Sequence, residues 1–244
     1  MFLDKRTFYI IMAIMVVFGL RDYLTNPEEL LGLLLTIPGL LIAITFHEFA
    51  HAFAADKLGD DTPRMQGRLT LNPLAHLDPI GSIMLLFAGF GWGKPVEVNP
   101  RNYDRRMSME KADAIVSIAG PLMNFFLALV FTLIYCALYK FVGPATMLSS
   151  DIYQILMMIV MYAISINVGL GVFNLIPVPP LDGSKVIKPI LPYNAKVWFE
   201  NNEGIFRLIF VALWIVGVLG TIISPVIRVI LTGFLNTGYA IFGI

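Results

Sequence analysis

Charge is what this chain has least of. Only 14% of its 244 residues are charged, against roughly 25% in a soluble domain. Lysine plus arginine and aspartate plus glutamate balance at 17 each, so the basic footprint of a nucleic-acid binder is missing. Cysteine is almost absent. Cys136 stands alone, which excludes an intramolecular disulfide and a paired-thiol metal site, and its place between Tyr135 and Ala137 reads as packing. There is no internal repeat and no low-complexity linker. What the chain has instead is apolar sequence, 57% of residues, gathered into long blocks. Such blocks define a polytopic membrane protein, expected as one transmembrane unit over 1–244.

The expected fold is all-α, with about six transmembrane helices at approximately 7–24, 28–58, 112–140, 152–176, 204–221 and 225–243. Lys5 and Arg6 before an apolar run resemble a signal peptide, but Arg21-Asp22-Tyr23 follows where a small-residue cleavage site would stand, so a retained first span is expected. The second span has the clearest start: Asn26 as N-cap, Pro27 at the first helical position, then Glu28 and Glu29 at the positive helix end. Pro38-Gly39 predicts a kink. Between the second and third spans, Arg68–Leu71 and Lys94–Val98 alternate like the strands of a small β-hairpin. The apolar stretch 83–90 lies between them, too short to span, and predicts a re-entrant element. Ser224-Pro225 is the expected turn between the last two spans. With six spans, every lysine and arginine except Arg21, Lys140 and Arg228 falls on one side. The positive-inside rule makes that side cytoplasmic, with both termini there.

Within the second span lies Phe46-His47-Glu48-Phe49-Ala50-His51. Helical i, i+4 spacing puts His47 and His51 on one face, and Glu48 stands about 100° around the axis. His-Glu-x-x-His on a helix is the zinc-protease pattern, with the histidines as ligands and the glutamate as general base. The apolar run 30–46 spans about 26 Å of helix, so the motif sits in the inner third of the bilayer. Catalytic zinc takes three protein ligands, and Asp56, Asp60, Asp61, Asp113 and Asp182 all compete for the third place. Asp182 follows Pro177, Pro179 and Pro180, which enforce an extended segment able to fold back. Asp182-Gly183 equally suits a turn or a helix N-cap. His76, beside Asp78 in a proline-bounded loop, reads as a non-ligand.

Taken together, His47-Glu48-Phe49-Ala50-His51, Leu71-Asn72-Pro73-Leu74-Ala75-His76-Leu77-Asp78-Pro79-Ile80-Gly81, Ala119-Gly120-Pro121-Leu122-Met123-Asn124 and Asn174…Pro177…Leu181-Asp182-Gly183 resemble the site-2 protease family of intramembrane zinc metalloproteases. The resemblance covers about residues 30–190 in order. It implies one zinc ion held by His47, His51 and Asp182, Glu48 as base, and a site open to the cytosol. With no room for a PDZ or CBS domain, the chain looks like a minimal prokaryotic member, expected in the plasma membrane. The implied substrate is a single-span membrane protein. Its unwound segment would be held by β-addition to 64–72 or 94–98. Asn124, an amide in an apolar helix, is a candidate to polarise the substrate carbonyl, with Asn174 as the alternative. The rival reading is a divalent-metal transporter or metal sensor. It is disfavoured because Thr36 is the only polar group in the outer half of the second span, and because transport needs no glutamate beside the first histidine.

Overall fold

The computed structural model describes residues 5–88 and 93–244, and side chains only where their placement is defined. The helices are α1 (Lys5–Thr25), α2 (Pro27–Lys57), α3 (Thr62–Met65), α4 (Pro79–Ala88), α5 (Met109–Val142) and α6 (Pro144–Ser149). They continue with α7 (Asp151–Asn174), α8 (Asp182–Ile187), α9 (Tyr193–Asn201), α10 (Glu203–Ile215) and α11 (Val218–Phe242). Among the described residues α2, α5, α7 and α11 are long and apolar enough to cross a membrane.

Local chemistry accounts for the ends of the two helices that matter most. Asn26 is extended, Pro27 takes the first position of α2 and Glu28 and Glu29 the first turn. Asn26 makes no backbone cap; its Nδ2 donates to Glu29 Oε1 at 3.0 Å. After α2 the chain turns at Gly59, whose φ of +99° is open to glycine at no steric cost. Asp60 then joins two loops: its carboxylate accepts from Thr62 N, Thr62 Oγ1, Asn99 N and Asn102 Nδ2. α5 starts on Ser108, whose Oγ accepts from Lys111 N at 3.4 Å.

Membrane helices associate through close packing rather than hydrophobic burial, so small residues mark the contacts. A Cβ on Gly39 would stand 2.8 Å from Ala163 Cα, which shows how closely α2 and α7 approach. One on Gly171 would meet the Phe125 ring at 3.0 Å, so α7 rests directly on α5. Ala128, Val160, Ile164 and Val168 form a buried core between α5 and α7, covered by Ile227, Ile230, Leu231, Phe234 and Leu235 of α11.

Three expectations change. There is no β-hairpin: no strand forms among the described residues, and the single bridge joins Leu77 to Gly93. The stretch 64–72 is partly helix α3 and partly loop, and in 94–98 Lys94 N bonds the His76 carbonyl, Lys94 O accepts from Arg68 and Val96 N donates to Glu48. The bridge also shows that the chain leaves at Leu77 and returns at Gly93, which makes α4 an excursion from one point, as a re-entrant element requires. Residues 89–92 of that expected element lie outside the described residues.

Next, the C-terminal helices divide at Gly217, with φ +79°, and not at Ser224-Pro225. α10 has 13 residues, about 20 Å, which is too short to span, while Pro225 lies inside α11. Finally, Phe173 near the end of α7 packs on Phe210 and Trp214 of α10, at 5.7 and 5.0 Å between centroids. At the far end Lys140 of α5 donates to the Phe242 carbonyl, and Phe141 meets Phe242 edge-on at 6.4 Å. α11 therefore runs parallel to α5, and its C-terminal end lies at the opposite end of the bundle from α10. The expectation that the C-terminus shares the side of the histidine motif fails for this reason. The expectation for the extreme N-terminus falls on residues 1–4, outside those described.

Candidate metal centre

Three helices deliver the site. α2 brings His47 and His51, and their Nε2 atoms stand 3.0 Å apart. The chain after α7 folds back and α8 opens on Asp182, whose Oδ2 lies 3.2 Å from His47 Nε2 and 3.3 Å from His51 Nε2. Gly183 permits the fold-back, since a Cβ there would stand 2.5 Å from the Ile176 carbonyl oxygen. α5 supplies the floor at Gly120, where a Cβ would come within 2.7 Å of Cε1 of both imidazoles.

Each imidazole is oriented from behind. His47 Nδ1 lies 2.6 Å from Asn124 Oδ1, and His51 Nδ1 lies 2.7 Å from the Val116 carbonyl oxygen. Asn124 Nδ2 donates to the Ala43 carbonyl at 3.1 Å and to Asn167 Oδ1 at 3.0 Å, so its oxygen faces His47. Asn167 Nδ2 in turn donates to the Ala163 carbonyl at 2.9 Å. Both partners of the histidines are acceptors, so both rings carry their proton on Nδ1 and turn an Nε2 lone pair inward. Asp182 Oδ2 is buried and no donor hydrogen bonds to it.

With both rings in that neutral tautomer, lone pairs from two imidazoles and one carboxylate converge. That is the donor set of a catalytic zinc site with one position left open. Tetrahedral ligands at about 2.0–2.1 Å stand about 3.3 Å apart, and the observed edges of 3.0, 3.2 and 3.3 Å fit. Among the described residues this is the one such group of histidine, cysteine and carboxylate side chains.

Asp56, Asp60 and Asp113 are engaged elsewhere. Asp56 forms a two-point pair with Arg64, at 2.8 and 2.6 Å. Asp60 is the loop staple, and its four hydrogen bonds outweigh burial to hold its carboxyl below its ordinary range. Asp113 Oδ1 lies 3.8 Å from Lys185 Nζ, joining α5 to α8. Glu48 is not one of the three grouped ligands, and its Oε2 accepts from Val96 N at 2.9 Å.

His76 is fully buried and does not join the group. Its Nε2 bonds the Thr70 carbonyl oxygen at 2.8 Å, and burial lowers its pKa. Both amide hydrogens of Asn124 are taken, by the Ala43 carbonyl and Asn167 Oδ1. Asn174 donates to Leu170 of its own helix at 3.1 Å, apart from the triad. Asn167 was not anticipated, although it is an amide two turns before Asn174 in the same apolar run. The Val116 carbonyl is main chain and carries no residue-type signal.

The model of peptidase family M50 matches residues 136–217, a stretch that includes Asp182. The candidate zinc metalloprotease YwhC of Bacillus subtilis is 37% identical over 205 residues, covering 83% of this chain and 90% of that protein. The candidate zinc metalloprotease Rip2 of Mycobacterium tuberculosis strain H37Rv is 31% identical over 161 residues, 64% of this chain and 57% of that protein. Its counterpart in Mycolicibacterium smegmatis is 32% identical over 170 residues, 68% and 61% respectively. No solved structure gives a significant match. Near-complete coverage of YwhC at that identity, on a chain whose helices assemble this donor set, places the protein in peptidase family M50, the site-2 protease family, and makes it a metalloprotease.

Proposed function

We propose that the protein is a zinc-dependent intramembrane endopeptidase that cuts a peptide bond in or beside the transmembrane segment of a single-span membrane protein. The observation that carries this is the convergence of Asp182 of α8 with His47 and His51 of the apolar helix α2, within 3.3 Å of one another, with Glu48 next to His47 in the chain. His47, His51 and Asp182 would hold the metal, whose Lewis acidity, when bound, polarises a carbonyl and acidifies water. Glu48 takes the proton of the attacking water and returns it to the leaving amine. Its Oε2 is held by Val96 N, which leaves Oε1 as the oxygen for that proton. Asn124 acts behind His47 as a positioning residue, fixing its tautomer.

The membrane arrangement follows from the helices and the charges. α2, α5, α7 and α11 cross as one transmembrane protease unit. Arg64, Arg68, Lys94, Arg101, Arg105 and Arg106 precede α5, and Lys185, Lys188 and Lys196 follow α7, while the turn 143–150 has no cation. The site end is therefore cytoplasmic. The bacterial relatives support a prokaryotic plasma membrane.

The test is Glu48→Gln in liposomes, with zinc content and cleavage of a model single-span substrate measured together. Retained zinc with cleavage lost is the expected result. Undiminished cleavage would remove Glu48 from the mechanism, and zinc flux across the bilayer would favour transport.

A further inference from the structure

We propose that Arg68 and His76 form a clamp that positions the base, gripping the chain at Lys94 so that the Val96 amide holds Glu48 in place. This rests on Glu48 being the base. Neither residue touches the ligand triad, yet both are buried, at 4% and 0% exposure. The Arg68 guanidinium donates through Nη2 to the Lys94 carbonyl. The His76 carbonyl accepts from Lys94 N at 2.8 Å, and the His76 ring is tied back to Thr70, two residues beyond Arg68. Lys94 is thus held at both its N–H and its C=O.

Only Pro95 separates Lys94 from Val96, and its ring fixes φ between them. The grip on Lys94 therefore also sets Val96, whose N–H donates to Glu48 Oε2 at 2.9 Å. Gly93 lets the segment lie this close to α2: a Cβ there would stand 3.1 Å from the His76 oxygen and 3.2 Å from Ile44 Cγ2.

Charge points the same way. Arg68 interacts electrostatically with Glu48 and Glu97, and Glu97 is itself fixed by Gln66 Nε2 at 2.7 Å. Arg68 Nε is buried without a hydrogen-bond partner. A loop needing only filling would be better served by an apolar side chain, because burying an incompletely paired guanidinium is unfavourable. A guanidinium is kept where its field and its directed donors are needed beside the carboxylate.

The test uses the full chain, zinc-loaded, in liposomes with a model single-span substrate. Arg68→Met, His76→Ala and Val96→Pro each attack the clamp at a different point. The expected result is a fall in kcat of about 10- to 100-fold with KM and zinc stoichiometry unchanged, and partial recovery in Arg68→Lys. Because Arg68 and Val96 act through one contact, the double variant should be no worse than the poorer single one. Wild-type kcat in Val96→Pro, or additive losses in the double variant, would overturn the clamp. If Arg68→Met does not fold, Arg68→Lys and Val96→Pro still decide. Glu48→Gln run alongside separates the two readings: an active Glu48→Gln removes the base itself, whereas an inactive Glu48→Gln with unaffected clamp variants removes only the clamp.

Discussion

At the scale of single residues, the groups behind the ligands decide what the ligands are. His47 presents Nε2 because Asn124 Oδ1 takes its Nδ1 proton at 2.6 Å, and Asn124 is oriented by Ala43 and Asn167. Asn124→Leu should lower zinc affinity about 10- to 100-fold, read by chelator competition, with the histidines and Asp182 intact. A residue that only polarised substrate would leave affinity untouched. Gly120→Ala puts a Cβ 2.7 Å from carbons of both imidazoles, so zinc stoichiometry should fall well below one per chain. Asp60 belongs to stability rather than chemistry. Its folded pKa lies below the ordinary value, since its hydrogen bonds outweigh burial. The stabilisation is therefore present above about pH 4 and is lost as pH falls through the lower folded pKa. Asp60→Asn should destabilise by about 1–3 kcal/mol at pH 7, and the gap in melting temperature from wild type should narrow at pH 3. The histidine pair and Glu48 were legible because their spacing is helical and local. Asn124's orientation was not, because which end of an amide faces a histidine depends on Ala43 and Asn167, 81 and 43 residues away.

At the scale of elements, the helices are held by glycines where backbones approach. A Cβ on Gly238 would stand 2.6 Å from Cys136 Sγ and 2.9 Å from Thr132 Cγ2. Gly238→Leu should therefore push α11 off α5 and lower the melting temperature in detergent. Zinc should stay bound, because the site is built by α2, α5 and α8. Loss of zinc in that variant would show that α11 supports the site. The start of α2 was readable from Pro27, whose effect reaches only one turn. The α10–α11 boundary was not. A proline inside a membrane helix is tolerated when its surroundings accommodate the freed backbone, and Pro225 lies inside α11. The turn instead uses Gly217, whose left-handed φ no residue letter announces.

At the scale of the whole molecule, the path of α11 sets the sidedness of the C-terminus. Cys136 is fully buried, so the chain serves as its own background for cysteine labelling. In oriented cells, Ile244→Cys should react with an impermeant maleimide from outside, and Arg101→Cys only after the membrane is opened. Labelling of both from the same side would mean that α10 crosses as well. What the sequence by itself determined was the solvent, the apolar blocks, and the His47-Glu48-x-x-His51 turn, since composition and helical spacing act over a few residues. Its resemblance to the site-2 proteases added Asp182 to that turn. Only the tertiary structure brought Asp182 to 3.2 Å of His47, turned Asn124 Oδ1 toward His47, and laid α11 along α5. Those outcomes depend on close packing between segments far apart in the chain, where a single glycine or amide, indistinguishable by letter from its neighbours, sets how near two backbones come.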